Sequence, residues 1–232
     1  MRTTGARARR REVEALLRAE DFESRLSAWH RFPARTLVAP LLSLLCSADD
    51  LQRWRAARAL GHATARLAEE DLESARQVMR RLMSSLTEES GAIGWGAPEA
   101  MAEIMARHPR LAGEFAHVLV SYVAEESTRL DNDALLRGVL WGIGRLAPAR
   151  LEPLEGCAPH LEPFLRSGDP ALRGLTAWAL ARMGELGPER ARPLLDDEAE
   201  FSLYLDGGLV TRRVRDVALP GEAPRGEAPG RP

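Results

Sequence analysis

Glu99 and Glu103 stand four residues apart in "APEAMAEIMARH", a spacing that stacks both carboxylates on one helical face. Paired carboxylates are the raw material of general acid–base chemistry, but exposed glutamates on many helices share the same spacing. Cys157-Ala-Pro-His160 offers half of a metal-ligand set. No second pair stands at ligand spacing, so a buried cysteine beside a surface histidine is expected and no metal is assigned. His62, His108 and His117 lie outside any HExxH pattern. The chain also lacks a GxSxG elbow, a CxxC pair and a correctly spaced GxGxxG. Catalytic residues, metal and cofactors are therefore all set at none.

All 32 basic residues are arginine. That excludes a Walker A lysine, a Schiff-base lysine and a lysine general base. Arginine binds anions and stacks on rings, but its pKa makes it a poor base. The opening arginines Arg2, Arg7, Arg9, Arg10 and Arg11 resemble a nucleic-acid arm, yet acidic residues follow at once. The formal net charge of -2 demands neither nucleic acid nor an acidic membrane.

These residues must be carried by some scaffold, and the 232-residue chain is long enough for one or two domains or a short repeat array. Apolar residues make up 45% of it, and alanine and leucine dominate, which favours helix. Two cysteines, Cys46 and Cys157, form no disulfide framework and point to a reducing, cytoplasmic setting. The basic N-terminus lacks the apolar core of a secretory signal, and no run reaches the length of a membrane span.

Four segments read as one repeated helix: "LQRWRAARALGHATARLA", "IGWGAPEAMAEIMARH", "LLRGVLWGIGRLA" and "LRGLTAWALARMGEL". Aligned, Arg58, Glu99, Trp141 and Trp178 share one position, at spacings of 41, 42 and 37 residues. Three residues later come Gly61, Ala102, Gly144 and Ala181, small enough for neighbouring helices to approach closely. Each segment follows another amphipathic stretch. Start signals precede the repeated helices at Asp49/Asp50, Thr87 or Ser90, Asp131 to Asp133 and Asp169-Pro170. Helix pairs repeating every ~40 residues are the mark of a stacked α-solenoid.

Through "RAARALG", "LRGVLWGIGRLA" and "LRGLTAWALARMG" the chain resembles the HEAT-repeat family over roughly residues 36–186. The stretch "SGAIGWGAPEAMAEI" also looks like one shared by bacterial HEAT-like proteins, sulfate reducers among them, and implies no activity. The resemblance implies an all-α fold, an α-solenoid of about four to five HEAT-like helix pairs. Residues 1–35 are expected as capping helices. Residues 187–218 hold a last helix and a small C-terminal β-hairpin, because apolar residues alternate around Asp206-Gly207-Gly208. That hairpin either seals the array or adds a strand to another chain. Residues 219–232, rich in proline and glycine, are expected to be disordered.

Around the shared position most neighbours are apolar, as Val139, Leu140 and Ile143 illustrate. Residues four before and four after it are not. They give Trp54-Arg58-His62, Trp95-Glu99-Glu103, Arg137-Trp141-Arg145 and Gly174-Trp178-Arg182. In HEAT-like solenoids the second helices usually line the concave surface, which places this row of tryptophan and charge there. The expected partner-binding residues are Trp54, Arg58, Trp95, Glu99, Arg137, Trp141, Arg145, Trp178 and Arg182. Indole stacking and cation–π contacts would supply ~0.5–2 kcal/mol each. The competing expectation is that the tryptophans pack against the next helix.

The leading functional expectation is a non-enzymatic module that grips an unidentified partner protein or peptide, with no membrane and no settled oligomeric state. Two other readings follow from the resemblance. Some HEAT-like proteins are DNA glycosylases that use tryptophan, arginine and an acidic residue, although no catalytic position can be matched here. Others resemble bilin lyases that handle tetrapyrroles. Nucleic acid is disfavoured by mixed charge and the absence of lysine.

One stretch resists a simple helical reading. "SGAIGWGAPEA" carries three glycines and Pro98, so its helix is expected to kink or to start late. The glycines either serve tight packing or bare Trp95 as a contact site.

Overall fold

The computed structural model describes residues 2–87 and 94–219. Residues 88–93, and residues 220–232 of the stretch where disorder was expected, lie outside the described residues. The fold is all-α, an α-solenoid class of HEAT-like helix pairs, with one small antiparallel β-hairpin near the C-terminus. The chain divides into two compact units, Met1–Ile104 and Met105–Pro232.

In the first unit, α1 (Arg2–Leu17) and α2 (Phe22–Leu26) precede a 3-10 turn at Ser27–Arg31. Two helix pairs follow: α3 (Ala34–Leu44) with α4 (Asp50–Glu70), then α5 (Leu72–Thr87) with α6 (Ala97–Arg107). Asp49 caps α4 as its spacing predicts, accepting from the Gln52 amide at 3.0 Å. The start expected at Thr87 or Ser90 differs: Thr87 ends α5, and α6 begins only at Ala97. Gly96, at φ 71°, supplies the left-handed turn into α6, and its carbonyl accepts from Ala100 N–H at 3.0 Å. Pro98 falls in the first turn, where its missing N–H costs nothing. The core of this unit gathers Leu37, Leu41, Leu60, Met79, Leu82 and Met101.

In the second unit, α7 (Pro109–Ser121) is capped by the His108 side chain, whose Nδ1 accepts from Leu111 N–H at 3.3 Å. Its partner is α8 (Asp133–Leu146), capped by Asn132. The next layer opens with a broken first helix. A 3-10 turn at Glu152–Leu154, α9 (Ala158–Leu161) and a second 3-10 turn at Glu162–Arg166 each carry a proline at their start. α10 (Pro170–Met183) completes that pair, from the Asp169 cap to Gly184 at φ 76°. α11 (Gly187–Ala191) leads into β1 (Glu200–Leu205), β2 (Gly208–Arg213) and α12 (Val214–Ala218). The hairpin pairs Leu205 with Gly208 around Asp206 and Gly207, both at positive φ (48° and 80°), as a type I′ turn requires.

Candidate functional site

The structure divides the row of tryptophan and charge. In α4 the arginines turn toward the N-terminal segment. Arg55 donates to the carbonyls of Leu17 and Ala19 at 2.8 and 2.9 Å, closing the end of α1. Arg58 grips Glu23 of α2 with two bonds, 2.5 and 2.6 Å, and stands 3.5 Å from Glu103. Arg66 donates to the carbonyls of Trp29 and Phe32. Arg58, expected on an open surface, is therefore buried beneath α2 and staples the N-terminal helices to the first pair. Of the opening arginines, Arg10 makes an exposed bond to Glu14 and Arg9 lies 4.7 Å from the Phe32 ring.

Glu99 and Glu103 are also covered. A Cβ on Gly61 would lie 2.7 Å from the Glu103 Cβ, so the glycine lets α4 and α6 cross in contact. This close approach is the role the small residue at that repeat position predicts. It leaves Glu103 only 1% exposed and Glu99 only 8% exposed. Glu99 Oε2 has no hydrogen-bond partner. Burial pushes its carboxyl up to about 7, while its own backbone amide and Arg53 oppose the shift. Glu99 thus does not sit on an open contact face, which corrects its placement there.

Trp54 and Trp95 keep part of their surface, both half-buried. The Arg53 guanidinium lies 5.9 Å from the centre of the Trp95 ring, within cation–π range. It also bonds Asp50 at 2.8 Å and the Ser47 carbonyl at 3.2 Å. Gly94 is pressed against α5, where a Cβ would come 2.7 Å from the Ser85 carbonyl oxygen. Gly96 faces Leu45 and the Arg53 side chain. The two described glycines therefore serve packing, and the turn they form holds Trp95 beside Arg53.

In the second unit the row is sealed. Trp141 and Trp178, expected to bind a partner, are 2% and 1% exposed. Their rings stack at 6.4 Å with 17° between planes, and Tyr204 meets Trp141 edge-on at 6.1 Å. Trp141 Nε1 donates to the Tyr204 carbonyl at 3.0 Å. A Cβ on Gly144 would fall 2.4 Å from the Trp178 ring, and one on Gly174 2.3 Å from the Phe201 ring. Both glycines make room for aromatic side chains, and β1 closes the seam. The hairpin seals its own unit.

The arginines expected to flank these indoles are engaged within the fold. Arg137 pairs with Asp169 at 2.6 Å, bracing the cap of α10. Arg182 lies 5.2 Å from the Trp178 ring and donates to the Gly144 carbonyl at 2.8 Å. Burial, with Arg145 nearby, lowers the Arg182 pKa. Arg145 remains half-buried. The open row of tryptophan, arginine and acid on which the glycosylase-like reading rests is thus closed at Trp141, Trp178 and Glu99.

Cys157 is buried against Met183, 3.9 Å between sulfurs, and burial pushes its thiol up to about 11. Among the described residues no three His, Cys, Asp or Glu side chains converge as a metal set. Among the same residues, no helix is long and apolar enough to cross a membrane.

A family match agrees with the helix-pair architecture of the second unit. The HEAT-like repeat family matches residues 133–183, which span α8 through α10. An uncharacterised protein of Archaeoglobus fulgidus is 30% identical over 183 residues, covering 77% of this chain and 92% of that one. A crystal structure of an engineered protein from a structural genomics consortium aligns with 81% of this chain and 90% of its own. It shows 20% identity and a TM-score of 0.48.

Proposed function

Because this chain belongs to the HEAT-like repeat family, we propose that it works as a non-enzymatic protein-interaction module, with a contact face narrower than the repeat pattern alone implies. That face is the first-unit surface of Trp54, Trp95 and Arg53. The observation that carries it is the split in the tryptophan row: Trp54 and Trp95 keep surface, while Trp141 and Trp178 do not.

The chemistry fits a protein or peptide partner. Indoles offer a large apolar face at low conformational cost and recur at interface hot spots. Arg53, already fixed over Trp95 and bonded to Asp50, is held ready for a partner's carboxylate. The remaining residues of the row act in this reading as supports. Arg58 and Glu99 hold the α4–α6 layer, and Arg137, Arg145 and Arg182 hold the second unit. The two unbridged cysteines suit a cytoplasmic module.

A photo-crosslinking experiment in the native cells tests this. Benzoylphenylalanine replaces Trp54 in one strain and the exposed Leu151 in another. The expected result is a discrete adduct from position 54 that disappears when Trp95→Ala is added, with none from position 151. Equal adducts from both positions, or an adduct indifferent to Trp95→Ala, would overturn the assignment.

A further inference from the structure

The hairpin has two edges, and they differ. Pairing runs without a bulge from Leu205–Gly208 to Glu200–Arg213. The type I′ turn makes Leu205 and Gly208 a hydrogen-bonded pair, so bonded pairs alternate from there. The bond from Val214 N–H to the Ala199 carbonyl continues the same alternation. Tyr204 therefore points its backbone away from β2, and its carbonyl is the one that Trp141 occupies. β1 is covered by α8 at that point. On β2, the backbone groups of Leu209, Thr211 and Arg213 point away from β1.

Most of that edge is unused. Arg213 N–H is taken by Asp216 at 3.3 Å, and the Thr211 carbonyl has only a 3.4 Å contact from the Arg212 side chain. Leu209 N–H, Leu209 C=O and Thr211 N–H have no partner among the described residues. Leu209 is also one of the few large apolar side chains left exposed, at 37%. Unpaired strand edges invite a further strand unless something blunts them.

We propose that the β2 edge accepts an extended acidic segment of a partner protein, added as a third strand antiparallel or parallel to β2. Charge selects the occupant. β2 carries Arg212 and Arg213 and no acidic residue. Arg213 is paired with Glu198 at 3.0 Å, whereas Arg212 makes no ion pair among the described residues. Two copies of β2 side by side would crowd four arginines into one small sheet, where like charges oppose pairing. The chain's own tail fits poorly, since Pro220, Pro224, Pro229 and Pro232 lack the N–H groups a ladder needs. An acidic strand satisfies both the free backbone groups and Arg212. This surface belongs to the second unit and does not depend on the tryptophan face of the first.

Binding of two fluorescein-labelled heptapeptides to the full chain, followed by anisotropy, tests the proposal. One peptide alternates valine with glutamate, the other valine with lysine. The glutamate peptide is expected to bind at least about tenfold more tightly. Thr211→Pro removes an N–H that faces away from β1 and is expected to weaken that binding about tenfold or more. Arg212→Glu leaves the backbone untouched and is expected to invert the preference toward the lysine peptide. Three results would overturn the proposal. These are an Arg212→Glu variant with unchanged preference, wild-type binding no better for glutamate than lysine, and a wild-type dimer in sedimentation that Thr211→Pro dissolves.

Discussion

The indole N–H of Trp141 donates to the carbonyl oxygen of Tyr204 across 3.0 Å, joining α8 to a strand that follows 63 residues later. This bond turns a residue with the look of a binding anchor into a structural one. Trp141→Phe keeps most of the ring and removes the donor, leaving a buried carbonyl short of its partner. A loss of about 1–2 kcal/mol is expected in urea unfolding. Trp141→Ala should cost about 3–5 kcal/mol, because it also opens a cavity beside Trp178. Trp95→Ala, at a half-buried site, should cost well under either value.

Glycine substitutions separate close contact from open space. Gly144→Ala drives a methyl to 2.4 Å from the Trp178 ring and within 3.1 Å of Ala179 Cα. Overpacking of this kind should destabilise by about 1–3 kcal/mol. Gly113 lies on the exposed side of α7 with nothing within 4 Å. Gly113→Ala should therefore stabilise by about 0.5–1 kcal/mol through helix propensity alone. Thermal or urea melts of the two variants are expected to shift in opposite directions.

Glu99 sets a pH dependence. Its folded-state pKa, about 7, lies above the ordinary 4.5. Protons are then bound more tightly in the folded chain, so the contribution favours folding fully below about 4.5. It is lost as pH rises through about 7. The span is on the order of 3 kcal/mol at about 1.4 kcal/mol per pH unit. Glu99→Gln should flatten the decline in stability between pH 5 and pH 8 relative to wild type, measured by urea unfolding at each pH.

Arg58 should behave as a buried staple. Removing it takes from Glu23 its two-bonded partner and from Glu103 a cation 3.5 Å away. Arg58→Ala is expected to cost about 3–5 kcal/mol, the range for breaking a buried ion pair on one side. Arg137, whose side chain is 46% exposed, should cost about 1 kcal/mol or less when replaced by alanine, despite its pairing with Asp169.

The repeat was legible because its evidence is local. Gly61 and Gly144 announced close approach by recurring at one position, and Asp206-Gly207 announced the hairpin by turn chemistry. The burial of the tryptophan row was not legible in the same way. Periodicity tells which residues share a helical face, but not what covers that face. Arg58 is covered by Glu23, 35 residues earlier, and Trp141 by Tyr204, 63 residues later. One signal did exist. "LLRGVLWGIGRL" is apolar almost all round, as a buried helix should be, whereas α4 carries arginine on several sides. The late start of α6 could be foreseen from Pro98 and its glycines, but the burial of Glu99 depends on what packs over α6.

Hydroxyl-radical footprinting of the folded full-length chain, read by mass spectrometry at each tryptophan, tests the division of the row most directly. Trp54 and Trp95 are expected to oxidise several-fold faster than Trp141 and Trp178, with denatured protein giving similar rates at all four. Oxidation of Trp141 and Trp178 as fast as Trp95 in the folded protein would contradict the sealed seam and return the whole row to the surface.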